Sequence, residues 1–252
     1  MTDGFLDIRN LGMTFRDRKG DLEVLRDISF SLGNEEFLCV LGPSGSGKST
    51  LLRLIAGLLK PTAGEINFGE CDCAPRVGLV FQHANLMPWR SVRQNIALPL
   101  ELQQIGADEI NARVDQMIRL VGLEEFSHSW PSELSGGMAQ RVAIARAFIQ
   151  EPDLLLLDEP FGALDALTRE RMGAELLNIW QGSRIPVIMV THSISEALLL
   201  SDRVLVFTHR PGQLAQDVSV TFPRPRSEEL RYTAAFQDQE RALRGTLREK
   251  IS

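Results

Sequence analysis

The run from position 42 to position 50 has the residue types and the spacing of a phosphate-binding loop. It reads Gly42, Pro43, Ser44, Gly45, Ser46, Gly47, Lys48, Ser49 and Thr50. Glycines accept positive φ angles, so successive backbone N–H groups can curl around phosphate oxygens. Lys48 can reach the β- and γ-phosphates, and the Ser49 hydroxyl can ligate Mg²⁺. The run therefore predicts a nucleoside triphosphate site, and an ordinary glycine-rich turn is the alternative.

Two adjacent carboxylates, Asp158 and Glu159, follow the apolar run 154–157. The run predicts a buried strand, and ligands bind at the carboxyl ends of strands in open α/β sheets. Because neighbouring residues of a strand point in opposite directions, we expect the two acids to have different roles. Asp158 suits the Mg²⁺ shell and Glu159 suits polarising an attacking water. Together with the phosphate-binding loop, this pair predicts a nucleotide hydrolase.

A third candidate site is formed by Ser135, Gly136 and Gly137, within the run 134–141 that precedes the predicted helix 142–149. A hydroxyl and exposed backbone N–H groups at a helix start make an anion-binding N-terminus. One nucleotide does not need two such sites in one chain. The second site makes sense if each chain offers it to a nucleotide held by a partner chain.

The elements that must position these residues follow from the hydrophobic pattern. Strand-like runs at 5–8, 22–32 and 37–41 precede a predicted helix over 49–59. Strands and helices then alternate from 154 to 207, which is typical of a parallel sheet covered by helices. The expected fold class is α/β, a P-loop NTPase with a mostly parallel core sheet, an antiparallel β N-terminal part and an inserted helical subdomain.

We expect one domain over 1–252, with a helical subdomain at 85–150 and a helical C-terminal tail at 222–252. Within the subdomain, the apolar residues of 108–121 fall on one helical face. In the tail, Leu243, Leu247 and Ile251 recur at four-residue spacing. That spacing predicts an amphipathic helix packed on the body or on a partner, or a solvated helix with one packed stripe.

Composition narrows the class of protein. The 252 residues are 44% hydrophobic and 24% charged, which excludes disordered and collagen-like chains. The formal net charge of −6 argues against nucleic acid as a partner. No apolar run approaches the ~20 residues of a membrane-spanning helix, and residues 1–4 do not resemble a secretory signal. We expect a soluble, cytoplasmic chain.

The three cysteines fit a reducing compartment. Cys39 lies in an apolar run and is predicted to be inert core. Cys71 and Cys73 form a pair without the closed set of four ligands that a zinc site needs. We interpret them as two free thiols in a polar turn.

From Phe5 to about Val220 the sequence resembles the ATP-binding cassette (ABC) ATPases. Six motifs occur in that family's order: Gly42–Thr50 (Walker A), Gln82 (Q-loop), Leu134–Met138 (signature), Leu154–Asp158 (Walker B), Gly162–Asp165 (D-loop) and His192 (switch histidine). Met138 and Ala139 depart from the commonest residues of the family. They leave Ser135, Gly136 and Gly137 intact, so we expect hydrolysis to be retained.

The resemblance implies a head-to-tail dimer that encloses two ATP molecules, each between the Walker A loop of one chain and the signature of the other. It implies that Ser135 and Gly137 touch the γ-phosphate across the interface. His192 would brace that phosphate and the attacking water, and Gln82 would contact Mg²⁺ and sense the transporter. Phe15 matches the aromatic position that stacks on adenine, and core packing is its alternative role.

The implied site is therefore made of three overlapping sets. The catalytic residues are Lys48, Glu159 and His192. The Mg²⁺ ligands are Ser49, Gln82 and Asp158. The nucleotide-binding residues are Phe15, Gly42 to Thr50, Gln82, Ser135, Gly136 and Gly137.

Within the family, the segments 87–92, 159–165, 193–197 and 210–212 resemble bacterial importer ATPases, most closely the nitrate/sulfonate/taurine group. The resemblance implies an ATP-hydrolysing subunit at the cytoplasmic face of the inner membrane, peripheral to separate permease subunits. An extracytoplasmic solute-binding protein would be an indirect partner, and a second ATPase subunit the direct one. Met87, Pro88 and Trp89 would form an apolar patch for the permease, unless Trp89 packs beneath the helical stretch.

Three other functions compete with this one. A non-transport ABC ATPase of translation or DNA repair usually has two cassettes or a long insertion, and the sequence contains neither. A P-loop small-molecule kinase would not explain 134–138 or His192. A regulatory module that binds ATP without turnover conflicts with the complete motifs, and phosphate release from the pure protein would separate it from a hydrolase.

Overall fold

The computed structural model describes residues 4–17, 20–69, 74–162 and 164–249. Cys71, Cys73, Ala163 and the last three positions of the expected tail, which include Ile251, lie outside these ranges. The chain divides into two compact units. The first unit is Met1–Pro75 with Ile185–Ser252, and the second unit is Arg76–Arg184. Among the described residues, no helix is both long and apolar enough to span a membrane.

Strands and helices alternate along most of the described chain. In sequence order they are β1 (Leu6–Asp17), β2 (Gly20–Leu32), β3 (Phe37–Leu41), α1 (Lys48–Ile55), β4 (Ala63–Phe68), β5 (Val77–Val80), α2 (Val92–Leu102), α3 (Ala107–Leu120), α4 (Gly136–Phe148), β6 (Leu154–Asp158), α5 (Ala166–Ser183), β7 (Val187–Thr191), α6 (Ile194–Leu200), β8 (Arg203–Phe207), β9 (Leu214–Ser219) and α7 (Ala234–Glu249).

The first unit contains an antiparallel sheet of order β2-β1-β4. In β2, Ile28, Phe30 and Leu32 are buried while Ser29 is exposed, which is the period of two that the sequence predicts. The antiparallel N-terminal part is therefore confirmed.

A second sheet region of the first unit holds three parallel strands, β7, β3 and β8, with β9 antiparallel to β8. Every residue of β3 and β7 is buried, as expected for apolar strands covered on both faces. Leu41 pairs with Thr191 in the parallel register. The phosphate-binding loop and His192 thus leave neighbouring strands at the same end.

Helix α1 ends at Ile55, earlier than the predicted end at residue 59. Gly57 has φ 71°, and its N–H donates to the carbonyl of Leu54. A left-handed glycine directly after the last turn is a common helix stop, and it explains why the helix ends before residue 59.

The second unit contains the parallel pair β5–β6, in register from Val77↔Leu154 to Val80↔Leu157. Gln82 and Glu159 therefore follow the same end of this pair. Helices α2, α3 and α4 pack around a common apolar core. Val114 and Ile118 of α3 are buried in that core, as the helical spacing predicts.

The C-terminal tail packs on the first unit. Phe236 and Leu243 of α7 are buried, and the ring of Phe236 stacks on Phe222 with centroids 5.7 Å apart. Arg226 is nearly inaccessible and donates to the carbonyl of Leu198 at the end of α6. Burial lowers the pKa of Arg226 to about 10, so the guanidinium stays charged at neutral pH. The tail is thereby tied to the body through its arginine and its apolar stripe.

Cys39 lies in β3 and is fully buried. Burial raises the pKa of its thiol, which accordingly stays protonated and unreactive. The prediction that Cys39 is inert core agrees with this environment.

Candidate active site

The phosphate-binding loop joins β3 to α1 in the first unit. Gly45 and Gly47 have φ 78° and 93°, which residues other than glycine rarely adopt, and Gly47 caps the start of α1. The Lys48 ammonium donates to the carbonyls of Gly42 (2.9 Å) and Pro43 (2.8 Å). Lys48 is only 5% exposed. A buried cation is therefore held by the loop's own backbone, at the positive end of a helix.

Close packing also requires glycine in this loop. A Cβ built on Gly47 would lie 2.6 Å from Leu25 Cδ2. A Cβ on Gly42 would lie 3.0 Å from the Cβ of Phe207. The loop is therefore backed by β2 and β8, and larger residues would displace it.

Gly212, in the turn between β8 and β9, approaches the loop even more closely. A Cβ on Gly212 would lie 2.1 Å from the Ser46 carbonyl oxygen. The Gly212 N–H donates to the carbonyl of Val24 (2.8 Å), and its carbonyl accepts from the N–H of Arg26 (3.0 Å). Gly212 is not among the site residues predicted above, and its only signal in the sequence is the importer-like segment 210–212.

Ser46 is buried, and its Oγ has no hydrogen-bond partner among the described residues. A buried hydroxyl usually finds a partner, and exceptions deserve an explanation. Its place inside a loop of backbone N–H groups fits a loop that receives a polar ligand.

His192 lies on a turn that buried groups hold in place. Thr191 Oγ1 donates to a carboxylate oxygen of Glu196 at 2.6 Å and accepts from the N–H of Ser193 at 3.0 Å. Ser193 Oγ in turn accepts from the N–H of Glu196, which caps α6. The imidazole itself is exposed. His192 is among the predicted site residues, but Glu196 is not. An acidic residue on the apolar face of a short helix is the sequence feature that could have indicated Glu196.

Phe15 lies on β1 of the first unit and is 37% exposed. The alternative that Phe15 packs in the core is therefore wrong. Its ring offers a face for stacking.

In the second unit, Asp158 is the last residue of β6 and is 7% exposed. Glu159 has φ 46° and lies beyond the strand. The prediction that the two carboxylates differ in direction because they are neighbours in one strand is therefore wrong, since only Asp158 belongs to β6. The left-handed backbone at Glu159 redirects the chain instead, and such strain in a residue other than glycine is common at functional sites.

The structure brings together two predicted site residues of the second unit. Gln82 Nε2 donates to Glu159 Oε2 at 3.3 Å. Gly162 closes the turn after Glu159, because its N–H donates to the Glu159 carbonyl at 3.0 Å. The candidate base is therefore held from both its side chain and its backbone.

Ser135 caps α4, and its Oγ accepts from the N–H of Met138 at 3.2 Å. Ser135 and Gly136 are exposed, so the N–H groups of the first turn face solvent. A Cβ on the buried Gly137 would lie 2.9 Å from Thr168 Cγ2 of α5, so only glycine allows this contact.

Asp165 caps α5 next to this cluster, accepting from the Thr168 N–H. Its hydrogen bonds with Thr168 lower the pKa of Asp165. The N-terminal turns of α4 and α5 thus lie side by side.

The segment between β5 and α2 carries the remaining predicted residues. Trp89 is 69% exposed, so the alternative that it packs beneath the helices is wrong. Two residues that sequence reasoning missed, Asn95 and Arg146, bind the backbone of this segment. Asn95 could have been noticed in the sequence, because it is a polar residue between the apolar positions of α2.

The chain matches the family model described as ABC transporter over residues 25–162. It is 45% identical to the nitrate import ATP-binding protein NrtD of Synechocystis sp. over 221 residues, 86% of this chain and 83% of that protein. It is 43% identical to the aliphatic sulfonates import ATP-binding protein SsuB of Bacillus cereus, over 88% of this chain and 89% of that protein. It is 44% identical to the taurine import ATP-binding protein TauB of Pelagibacter ubique, over 85% of this chain and 82% of that protein.

A solved structure also resembles the chain over most of its length. It is the dimeric, post-hydrolysis state of the ATP-binding cassette MJ0796 bound to ADP and phosphate. The TM-score is 0.76 at 30% identity, and the match covers 86% of this chain and all of that one. The expected P-loop NTPase fold is thereby confirmed.

Proposed function

Because the chain belongs to the ABC transporter family as an ATP-binding cassette ATPase, we propose that it is the ATP-hydrolysing subunit of a bacterial importer. Separate permease subunits would carry a small solute such as nitrate, a sulfonate, taurine or a related compound. The support for this solute class is the 43–45% identity to three import proteins named for those compounds. The permease and an external binding protein would select the solute.

The observation that carries this proposal is the phosphate-binding loop with its buried lysine. The Lys48 ammonium, the left-handed glycines and the α1 N-terminus all favour an anion at one place. We infer that residues Gly42 to Thr50 bind the phosphates of ATP. Lys48 then exchanges its two loop carbonyls for phosphate oxygens, and Phe15 stacks on the adenine.

The donor set of Ser49, Gln82 and Asp158 fits Mg²⁺. This cation prefers oxygen ligands and is bound through one or two carboxylates together with phosphates. The position of Asp158 at the end of β6 supports the assignment, because it supplies a carboxylate of the kind that Mg²⁺ prefers. Bound Mg²⁺ would neutralise charge that develops on the phosphate oxygens.

Glu159 is the proposed base, which accepts a hydrogen bond from the attacking water and polarises it. The hydrogen bond from Gln82 orients the Glu159 carboxylate, and the left-handed backbone fixes its direction. His192 braces the γ-phosphate from its turn, which Thr191 and Glu196 hold in place.

Ser135, Gly136 and Gly137 are proposed to bind the γ-phosphate held by a second copy of the chain. Their support is an exposed, capped helix N-terminus, a second anion-binding feature in addition to the phosphate-binding loop. The resemblance to a dimeric cassette bound to ADP and phosphate agrees with this arrangement. ATP would close such a dimer and hydrolysis would open it.

Met87, Pro88 and Trp89 are proposed to contact the permease at the cytoplasmic face of the inner membrane. An exposed tryptophan is a typical anchor of a protein interface. No residue of this patch is needed for the phosphate chemistry described above.

Glu159→Gln tests the proposed hydrolysis. The variant keeps the size of the side chain and its contact with Gln82 but removes the base. We expect ATP affinity within about twofold of wild type and turnover reduced by about 10²–10⁴-fold, the usual contribution of a general base. Phosphate release measures turnover, and light scattering with ATP measures the accumulated dimer.

Arg113→Met is the control, because Arg113 makes surface ion pairs with Glu109 and Glu151. It should release phosphate at the wild-type rate. Phosphate release from Glu159→Gln at the wild-type rate would contradict the role of Glu159. A wild-type protein that binds ATP without releasing phosphate would instead indicate the regulatory module.

A further inference from the structure

Residues 84–90, which we call the docking segment, contain the proposed permease contact and are fixed at both ends by side-chain hydrogen bonds. Arg146 of α4 donates from Nη1 to the carbonyl of Asn85 (3.0 Å) and from Nη2 to the carbonyl of Ala84 (2.9 Å). Asn85 has φ 46°, so the chain turns sharply at this point. One planar guanidinium thus holds two successive carbonyls of the turn.

Arg146 is half-buried, and burial lowers its pKa from the usual range of arginine. A guanidinium remains charged under physiological conditions, so these are charge-assisted hydrogen bonds in a partly water-excluded place. Removing the side chain would leave two carbonyls without donors. The turn would then lose its two hydrogen bonds to Arg146 of α4.

The other end of the docking segment is fixed by Asn95 of α2. Its Oδ1 accepts from the Met87 N–H (2.8 Å), and its Nδ2 donates to the carbonyls of Met87 (3.2 Å) and Arg90 (2.8 Å). Asn95 is fully buried. A buried amide whose polar atoms are all bonded specifies one backbone conformation. The exposed Trp89 is therefore presented on a rigid loop.

Helix α4, which carries Arg146 near its C-terminus, begins at the signature residues. Gln140 of the same helix also donates to the carbonyl of Phe81, directly before Gln82, at 3.4 Å. Rigid secondary elements can carry coupling along their length, so α4 can transmit a displacement at Ser135 to Arg146. The hydrogen bonds of Arg146 then carry it to Ala84 and Asn85.

We propose that Arg146 is a positioning residue that makes the docking segment follow the signature helix, so that occupation of Ser135–Gly137 is transmitted to the permease contact at Met87–Trp89. The proposal rests on the proposed function for its two endpoints. The connection between them is made only of contacts within the second unit. It assigns to Arg146 a role in coupling, distinct from ATP binding and from the chemical step.

Amide hydrogen exchange on the purified full-length chain tests this inference. Wild type, Arg146→Met, Arg146→Lys and the surface control Arg113→Met are compared without nucleotide. We expect the amides of 84–90 to exchange at least about tenfold faster in Arg146→Met, since a hydrogen bond to a charged group shifts an opening equilibrium by that factor or more. Amides in the middle of α4 should not change. Arg146→Lys keeps the charge but loses the planar guanidinium that reaches two carbonyls, so the exchange rate of 84–90 should lie between those of wild type and Arg146→Met. The exchange rate in Arg113→Met should match wild type.

The same four proteins are then compared with MgATP in the Glu159→Gln background. Without a substitution at Arg146, ATP should slow exchange in both 134–141 and 84–90. In Arg146→Met, the change in 134–141 should remain and the change in 84–90 should be lost. A general loss of stability would instead change the exchange response of both segments.

Each result has a distinct meaning. Unchanged exchange of 84–90 in Arg146→Met, or an ATP response of 84–90 that persists in that variant, overturns the inference. If ATP leaves 134–141 unchanged when Arg146 is intact, the proposed ATP-closed dimer fails, and the nucleotide-free comparison still decides whether Arg146 holds the docking segment. If Arg146→Met does not fold, as judged by circular dichroism, Arg146→Lys decides both comparisons.

Discussion

Gly212→Ala tests whether the turn between β8 and β9 supports the phosphate-binding loop. The new methyl carbon would lie 2.1 Å from the Ser46 carbonyl oxygen. An ordinary carbon–oxygen contact is about 3.3 Å, so one of the two backbones must move by about 1 Å. Gly212 does not have a positive φ, so alanine adds no backbone strain and the overlap is the only new effect.

Two responses to this overlap are open to the protein, and both are measurable. If the turn withdraws, the bonds of Gly212 to Val24 and Arg26 break, at about 1 kcal/mol each. A loss of about 2 kcal/mol lowers the Tm of a chain of this size by about 4–8 °C. If the loop moves instead, a displacement of about 1 Å at Lys48 costs up to about 10²-fold in kcat/KM, or about 2.7 kcal/mol.

The assay combines phosphate release at varied ATP with thermal unfolding. Gly245→Ala is the matched control, because it adds the same methyl group in α7 of the same unit with no atom within 4 Å. It should leave kcat/KM unchanged and raise stability slightly, as alanine favours a helix over glycine by up to ~1 kcal/mol. If Gly212→Ala matched wild type in both kcat/KM and Tm, the support role of the turn would be refuted.

Two further predictions concern the permease contact and the histidine turn. Trp89→Ala should keep basal phosphate release but lose solute uptake in cells, whereas Tyr232→Ala, at a similarly exposed aromatic residue, should lose neither; wild-type uptake by Trp89→Ala would rule out the docking role. Glu196→Leu leaves the buried Thr191 hydroxyl without its acceptor, at about 1–3 kcal/mol of stability, and should lower kcat about tenfold or more through a misplaced His192, while Glu196→Gln, which keeps an acceptor, should stay close to wild type. Equal kcat in both Glu196 variants would show that the turn does not position His192.

Local features of the active site could be predicted from the sequence. The phosphate-binding loop is continuous in the chain, so its glycines, its lysine and the helix that follows can be predicted from residue type and short spacing. The same is true of the capped start of α4 and of the buried strand that ends at Asp158. In each case the residue types act on their own backbone, so the sequence pattern contains the whole signal.

Features that join distant residues were decided only by the tertiary structure. Gly212 backs the loop from more than 160 positions away, and Arg146 holds carbonyls 61 and 62 positions before it. Both contacts are made to backbone atoms, which every residue type possesses, so the contacted residues carry no mark in the sequence. The direction of Glu159 is likewise set by a left-handed backbone conformation, which the residue type glutamate does not predict.

The sequence by itself thus identified the residues that we propose for phosphate chemistry in this ATP-binding cassette, because that chemistry depends on residue type and short spacing. Tertiary structure decided what holds those residues in place and what connects the signature helix to the docking segment. Such connections depend on which backbone groups meet across the fold, and only packing determines that.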